Sequence, residues 1–159
     1  MKSAALCLIL LLGGSALCQQ TSAPHTVLPN DQFLGSWKLN VQRSPHGPDR
    51  EEISIQLEGA NLKIADHSVL GNGTETDFWL ITDPGGGFVR LTLKDGKPMN
   101  EEWRVTREGA SSFIVDSRPF ASQVRYEVSA DGKTMSARRI TSSIMGNTPW
   151  PSLVYDRVP

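Results

Sequence analysis

Asn100-Glu101-Glu102-Trp103-Arg104-Val105-Thr106-Arg107 alternates between two kinds of side chain. In an extended chain Trp103, Val105 and Arg107 share one face, while Glu102, Arg104 and Thr106 share the other. The pattern returns further on, where Val124, Tyr126 and Val128 lie opposite Arg125, Glu127 and Ser129. A period of two with one polar face belongs to antiparallel strands that cover a single core.

Outward from these segments the chain divides into short stretches of similar character. Candidate strands run over Phe33–Val41, Glu51–Leu57, Leu62–Asp66, Thr74–Thr82 and Phe88–Lys94. They continue over Asn100–Arg107, Ser112–Asp116, Gln123–Ser129, Thr134–Thr141 and Leu153–Val158. The breaks hold Glu58-Gly59, Gly71-Asn72-Gly73, Pro84-Gly85-Gly86-Gly87, Asp95-Gly96, Glu108-Gly109 and Asp131-Gly132, which suit tight turns. No window of ten or more residues beyond the N-terminus has helical periodicity. Strands joined in order by tight turns predict an up-and-down antiparallel meander, closing into a barrel of about 8–10 strands.

The N-terminus has a different logic. Met1-Lys2-Ser3 is followed by the apolar run 4–12 and then by small residues, Gly13-Gly14-Ser15-Ala16. That order is a charged n-region, an apolar h-region and a cleavage region, so residues 1–18 read as an export signal cut after Cys18. A lipoprotein anchor at Cys18 is disfavoured because Leu17 is bulky where that processing wants a small residue. Both cysteines, Cys7 and Cys18, fall inside this segment, which leaves the exported chain, periplasmic or extracellular, without a disulfide. Residues 19–31, with two prolines, read as an arm or short linker, and 32–159 as one barrel domain.

The formal net charge is −1 and both signs are interspersed, so no basic stripe points to nucleic acid or to an anionic membrane. The mature chain is expected to be a monomer with no transmembrane segment.

Gly35-Ser36-Trp37 stands at the head of the first candidate strand, within Phe33-Leu34-Gly35-Ser36-Trp37-Lys38-Leu39-Asn40. This stretch resembles the Gly-x-Trp opening of lipocalins and avidin-like proteins, the calycin barrels, and in particular small bacterial exported lipocalin-like domains. Arg43-Ser44-Pro45-His46-Gly47-Pro48 and the hairpin from Tyr126 to Met135 resemble segments of the same domains. The resemblance implies that Trp37 plugs the barrel base and that a late-strand arginine packs over its indole. Arg157 and Arg139 are the two candidates for that arginine. The family's disulfide and long C-terminal helix have no counterpart here, and residues 42–50, with two prolines, cannot hold the paired helices of fatty-acid-binding proteins.

Catalytic motifs are absent from the sequence. There is no Gly-x-Ser-x-Gly, and Gly132-Lys133-Thr134 lacks the leading glycine of a phosphate loop, since Glu127 stands there. His25, His46 and His67 are too far apart to preorganise a metal, so no metal site and no cofactor is expected. Glu51-Glu52 and Glu101-Glu102 place neighbouring carboxylates on opposite faces, so neither pair forms a dyad, and solvation is the expected state. Asn72-Gly73-Thr74 is a glycosylation sequon of interest only in a host with that pathway.

Aromatic side chains are the remaining resource. Phe78-Trp79 sits mid-strand, where one ring must face outward, and Pro149-Trp150-Pro151 lies in a loop. The resulting expectation is a non-enzymatic exported barrel holding a small hydrophobic ligand or lipid, with Trp37, Phe78, Trp103, Tyr126 and Arg157 as candidate binding residues. The competing expectation is a filled barrel that serves as a protein or cell-envelope interaction module.

Overall fold

The computed structural model describes residues 26–141 and 152–159. The proposed export signal, Cys18, His25 and Pro149-Trp150-Pro151 lie outside the described residues. Ten strands follow in chain order: β1 (Gly35–Leu39), β2 (Arg50–Glu58), β3 (Asn61–Val69), β4 (Glu75–Thr82) and β5 (Val89–Leu93). Next come β6 (Pro98–Arg107), β7 (Ser112–Arg118), β8 (Ser122–Val128), β9 (Thr134–Arg139) and β10 (Leu153–Val158). A single 3-10 turn at Val41–Arg43 is the one helical element among the described residues. No helix there is long and apolar enough to cross a membrane.

Each strand pairs antiparallel with its sequence neighbour, and β10 pairs with β1, so the meander closes into a barrel. Closure satisfies both edges of the sheet, which would otherwise present unpaired backbone groups. The Asp131-Gly132 turn shows how local chemistry sets the register. Gly132 adopts a φ of 69°, and Asp131 Oδ1 accepts from the Lys133 amide at 3.1 Å and from Ser129 Oγ at 2.6 Å.

The period-two reading holds in three dimensions. Trp103 and Val105 face inward with Val124, Tyr126 and Val128, and Phe78 is buried while Trp79 lies outside under the Lys63 ammonium at 5.7 Å. Strand β3 runs three residues further than expected, to Val69, because His67, Ser68 and Val69 continue the ladder with Glu52, Glu51 and Arg50. Polar side chains hid that extension, whose pairing is a backbone matter.

The barrel has two unlike ends. At one, Phe33, Trp37, Ile55, Leu62, Leu80, Leu91, Val105 and Met135 are buried at 3% exposure or less and close the interior. Trp37 Nε1 donates to the Phe33 carbonyl at 2.9 Å, and the Arg157 guanidinium lies 4.2 Å over the indole. Arg157, and not Arg139, therefore covers Trp37. It also donates to the carbonyls of Gly132 at 2.6 Å and Leu34 at 2.9 Å, and to that of Gln32. Gly35 lets this happen: its φ is 130°, and a Cβ there would sit 2.8 Å from Arg157 Nη1. The stretch read as an arm packs down from Val27 onward. Asp31, 4% exposed, accepts from Arg107 at 2.7 and 2.8 Å and from the Leu28 amide at 3.0 Å.

Candidate functional site

The other end of the barrel is hollow. A cavity of about 1050 Å³ runs from the middle of the barrel to the connections that contain His46, Leu70 and Phe120. Its apolar walls are Phe78 from β4, Trp103 from β6, Val115 from β7, Val124 and Tyr126 from β8, Ala137 from β9 and Leu153 from β10. These residues arrive there by parity alone, since each alternates with an outward neighbour. The aromatic rings hold one another in place. Phe78 meets Trp103 edge-on at 5.1 Å, and Tyr126 stacks on Phe113 at 4.8 Å with an interplanar angle of 3°. Phe113 in turn meets Phe33 at 5.2 Å, which ties the cavity floor to the closed end.

Of the five residues expected to bind a ligand, Phe78, Trp103 and Tyr126 are brought together on this wall. Trp37 and Arg157 do not line it; they seal the opposite end.

The polar groups of the cavity are unlike what the sequence suggested. Glu51 was expected in solvent beside Glu52, but it points inward and is 8% exposed. Its companion is Asp66, at 7%, on the neighbouring strand. The register sets Glu51 against Ser68 and Ile53 against Asp66, so the two acids are diagonal neighbours on the inner face. Both carboxyls are held above their ordinary range, first of all by burial, and Asp66 strongly so because the Glu51 charge adds to that cost. The interaction between them lowers Glu51 and raises Asp66, so Asp66 is the member of the pair that keeps its proton to the higher pH.

Two phenols stand over this pair. Burial, together with the negative field of Glu51 and Asp66, pushes Tyr126 and Tyr155 upward, so both stay neutral. Tyr155 is fully buried, and its hydroxyl faces Glu51 without meeting any group at hydrogen-bonding geometry. The remaining polar wall is largely paired. Trp103 Nε1 donates to Glu101 Oε1 at 2.7 Å, and the Ser117 and Ser122 hydroxyls meet at 2.7 Å. Arg139 lines the cavity from the end of β9 and is engaged within the protein.

His67, next to Asp66 in sequence, faces the other way. It sits on the outer surface with Arg50 Nη2 at 2.7 Å, Asp77 Oδ2 at 3.6 Å and Glu75 Oε1 at 3.9 Å. Among the described residues no group of three His, Cys, Asp or Glu side chains could hold a metal ion.

Glu51 and Asp66 are the site residues that motif reasoning missed. A signal for them existed: Glu51 shares parity with Ile53 and Ile55, and Asp66 with Leu62 and Ile64. An acid in phase with an apolar face is an inward acid, however often carboxylates sit in water.

A scan against protein-family models finds no match to this chain, and a search of curated proteins finds no relative. The class of protein therefore rests on architecture. It is a closed ten-stranded antiparallel up-and-down barrel, consistent with a lipocalin-like barrel, packed at one end and hollow at the other.

Proposed function

We propose that this chain is an exported, non-enzymatic lipocalin-like carrier that takes a small, mostly apolar molecule into the open half of its barrel. The observation that carries this reading is the cavity of about 1050 Å³, walled by Phe78, Trp103, Tyr126 and aliphatic side chains. Cavities of this size and lining suit ligands of drug-like dimensions, with a few polar groups to set orientation. Burial on entry contributes about 25 cal/mol per Å² of apolar surface before association costs. The rim supports the same reading, since Phe120 is 59% exposed at the edge of the cavity, where an apolar molecule would first touch. Support for the family comes from Gly35, Trp37 and Arg157 acting together at the closed end. Support for export comes from the order of residues 1–18.

The test is a titration with N-phenyl-1-naphthylamine, a weakly basic apolar dye, followed by dye emission and by energy transfer from tryptophan. Saturable binding near one site per chain is expected. Ala137→Trp, which fills the cavity from its wall, should reduce affinity at least tenfold while the protein still unfolds cooperatively. Failure of the dye to bind, or equal binding by the filled variant, would overturn the reading. Native mass spectrometry of gently extracted protein adds an independent view, because a resident ligand appears as extra mass.

A further inference from the structure

The carrier reading leaves open what sort of molecule enters, and the buried acids bear on that. An apolar pocket meant only for hydrocarbon has no use for two carboxyls and a phenol, each of which is costly to desolvate. Here Glu51, Asp66 and Tyr155 converge in the cavity, with the Tyr126 ring near enough to feel the charge of both acids. Tyr155 adds a second sign: its side chain is fully buried, it lines the cavity, and its hydroxyl lies beside Glu51 without meeting it or any other group at full hydrogen-bonding geometry. Buried polar groups left in this state are uncommon and call for an explanation.

We propose that the cavity selects amphipathic amines, small apolar molecules with one protonated nitrogen, which Glu51 and Asp66 hold with the Tyr155 hydroxyl beside them. This rests on the carrier reading and narrows its ligand class. An ammonium donates several hydrogen bonds and accepts none, which matches a carboxylate pair and a phenol oxygen. The rings of Trp103, Tyr126 and Phe78 offer faces that favour a cation and tolerate its apolar body. The balance of charge around the pair agrees. Glu101 of β6, Arg139 of β9 and His46 of the β1–β2 connection line the same cavity, Tyr126 and Tyr155 are neutral, and Asp77 of β4 adds negative field from the outer face. Three carboxyls thus face one guanidinium. When the ammonium enters, Asp66 ionises and its proton passes to the buffer, so the bound complex has two carboxylates against the new positive charge.

The experiment compares n-octylamine, 1-octanol and octanoate, which differ only at the polar end, by calorimetric titration into the purified protein. Octylamine is expected to bind at least tenfold more tightly than octanol, with octanoate weakest. It should also release a fraction of a proton, read from the dependence of the heat on the buffer. The Glu51→Gln, Asp66→Asn double variant should bring the amine-to-alcohol ratio close to one and abolish proton release. Tyr155→Phe, which keeps the shape, should lower that ratio severalfold, and a cooperative unfolding transition checks that each variant is folded. Equal binding of amine and alcohol overturns the amine class and leaves the carrier reading standing. Tightest binding by octanoate also overturns it and assigns selection to Arg139. If no octyl compound binds while the naphthylamine dye does, the amine class alone falls; if the dye fails as well, both readings fall.

Discussion

Replacing Arg157 by alanine should unlock the closed end of the barrel, and the structure sets the size of the effect. Two part-buried carbonyls, of Gly132 and Leu34, lose a charged donor at 2.6 and 2.9 Å, each contributing about 1 kcal/mol net of solvation. Loss of the guanidinium 4.2 Å above Trp37 removes about 1 kcal/mol more. The Gln32 carbonyl lies at the exposed edge, where water replaces the arginine. The expected loss is about 3 kcal/mol, or roughly 10 °C in Tm for a domain of this size. Arg157→Lys keeps the charge but cannot bridge separated carbonyls, and should recover a minor part. The sharper measurement is a cycle with Gly35→Ala. That substitution forces a side chain into a φ of 130° and places its Cβ 2.8 Å from Arg157 Nη1. In the Arg157→Ala background the clash is gone and only backbone strain of about 1–2 kcal/mol remains, so the two losses should not add. Urea unfolding followed by tryptophan emission reads all four corners. An Arg157→Ala loss below 1 kcal/mol, or strict additivity with Gly35→Ala, would refute this account of the closed end.

Other parts of the structure make separate demands. Asp31→Ala leaves the Arg107 guanidinium, 9% exposed, without its carboxylate and should cost about 3–5 kcal/mol by chemical denaturation, whereas a loose arm would cost nothing. Leu80→Ala and Leu153→Ala delete the same atoms from the packed and hollow halves; the first should cost about 3–4 kcal/mol and the second distinctly less, since Leu153 already borders empty space. The pH dependence follows from Asp66. Burial raises its folded-state pKa well above the ordinary aspartate value of 3.8, so above that pH the folded chain holds more protons than the unfolded one, and stability falls as pH rises until Asp66 ionises in the fold. Unfolding free energies measured from pH 4 upward should show this decline, and Asp66→Asn should flatten it and be the more stable protein at the alkaline end.

Most of the fold was legible because barrels are built from parity and turns, and both are local. All ten strands lie where alternation and turn residues placed them, with ends that move by up to three residues. The largest shift, at β3, occurs where polar side chains carry no hydrophobic signal and only pairing with Arg50–Glu52 extends the strand. Arg157 was legible as a candidate and no more. Its parity with Tyr155 and Leu153 put it on the right face, but so did that of Arg139 with Ala137, and only the pairing of Trp37 with Arg157 across β1 and β10 separates them. That contact spans nearly the whole chain, and no local pattern records it.

The hollow was not legible, for a reason that also explains the acids. Composition counts rings without saying how a barrel tapers, and the same aromatics fill one end here and line a space at the other. What distinguishes the two halves is the polar content of inward positions. Toward the closed end the inward residues of β2 and β3 are Ile55, Leu62 and Ile64; toward the open end they become Glu51, Asp66 and Ser68. A solid core would impose the full desolvation cost of such groups, whereas a cavity gives them water or a ligand to meet. The change from apolar to acidic at constant parity is therefore the trace that an open chamber leaves in a strand. Among the described residues, the buried Tyr155 hydroxyl, beside Glu51 but short of full hydrogen-bonding geometry, lies where the chamber's occupant is expected to reach.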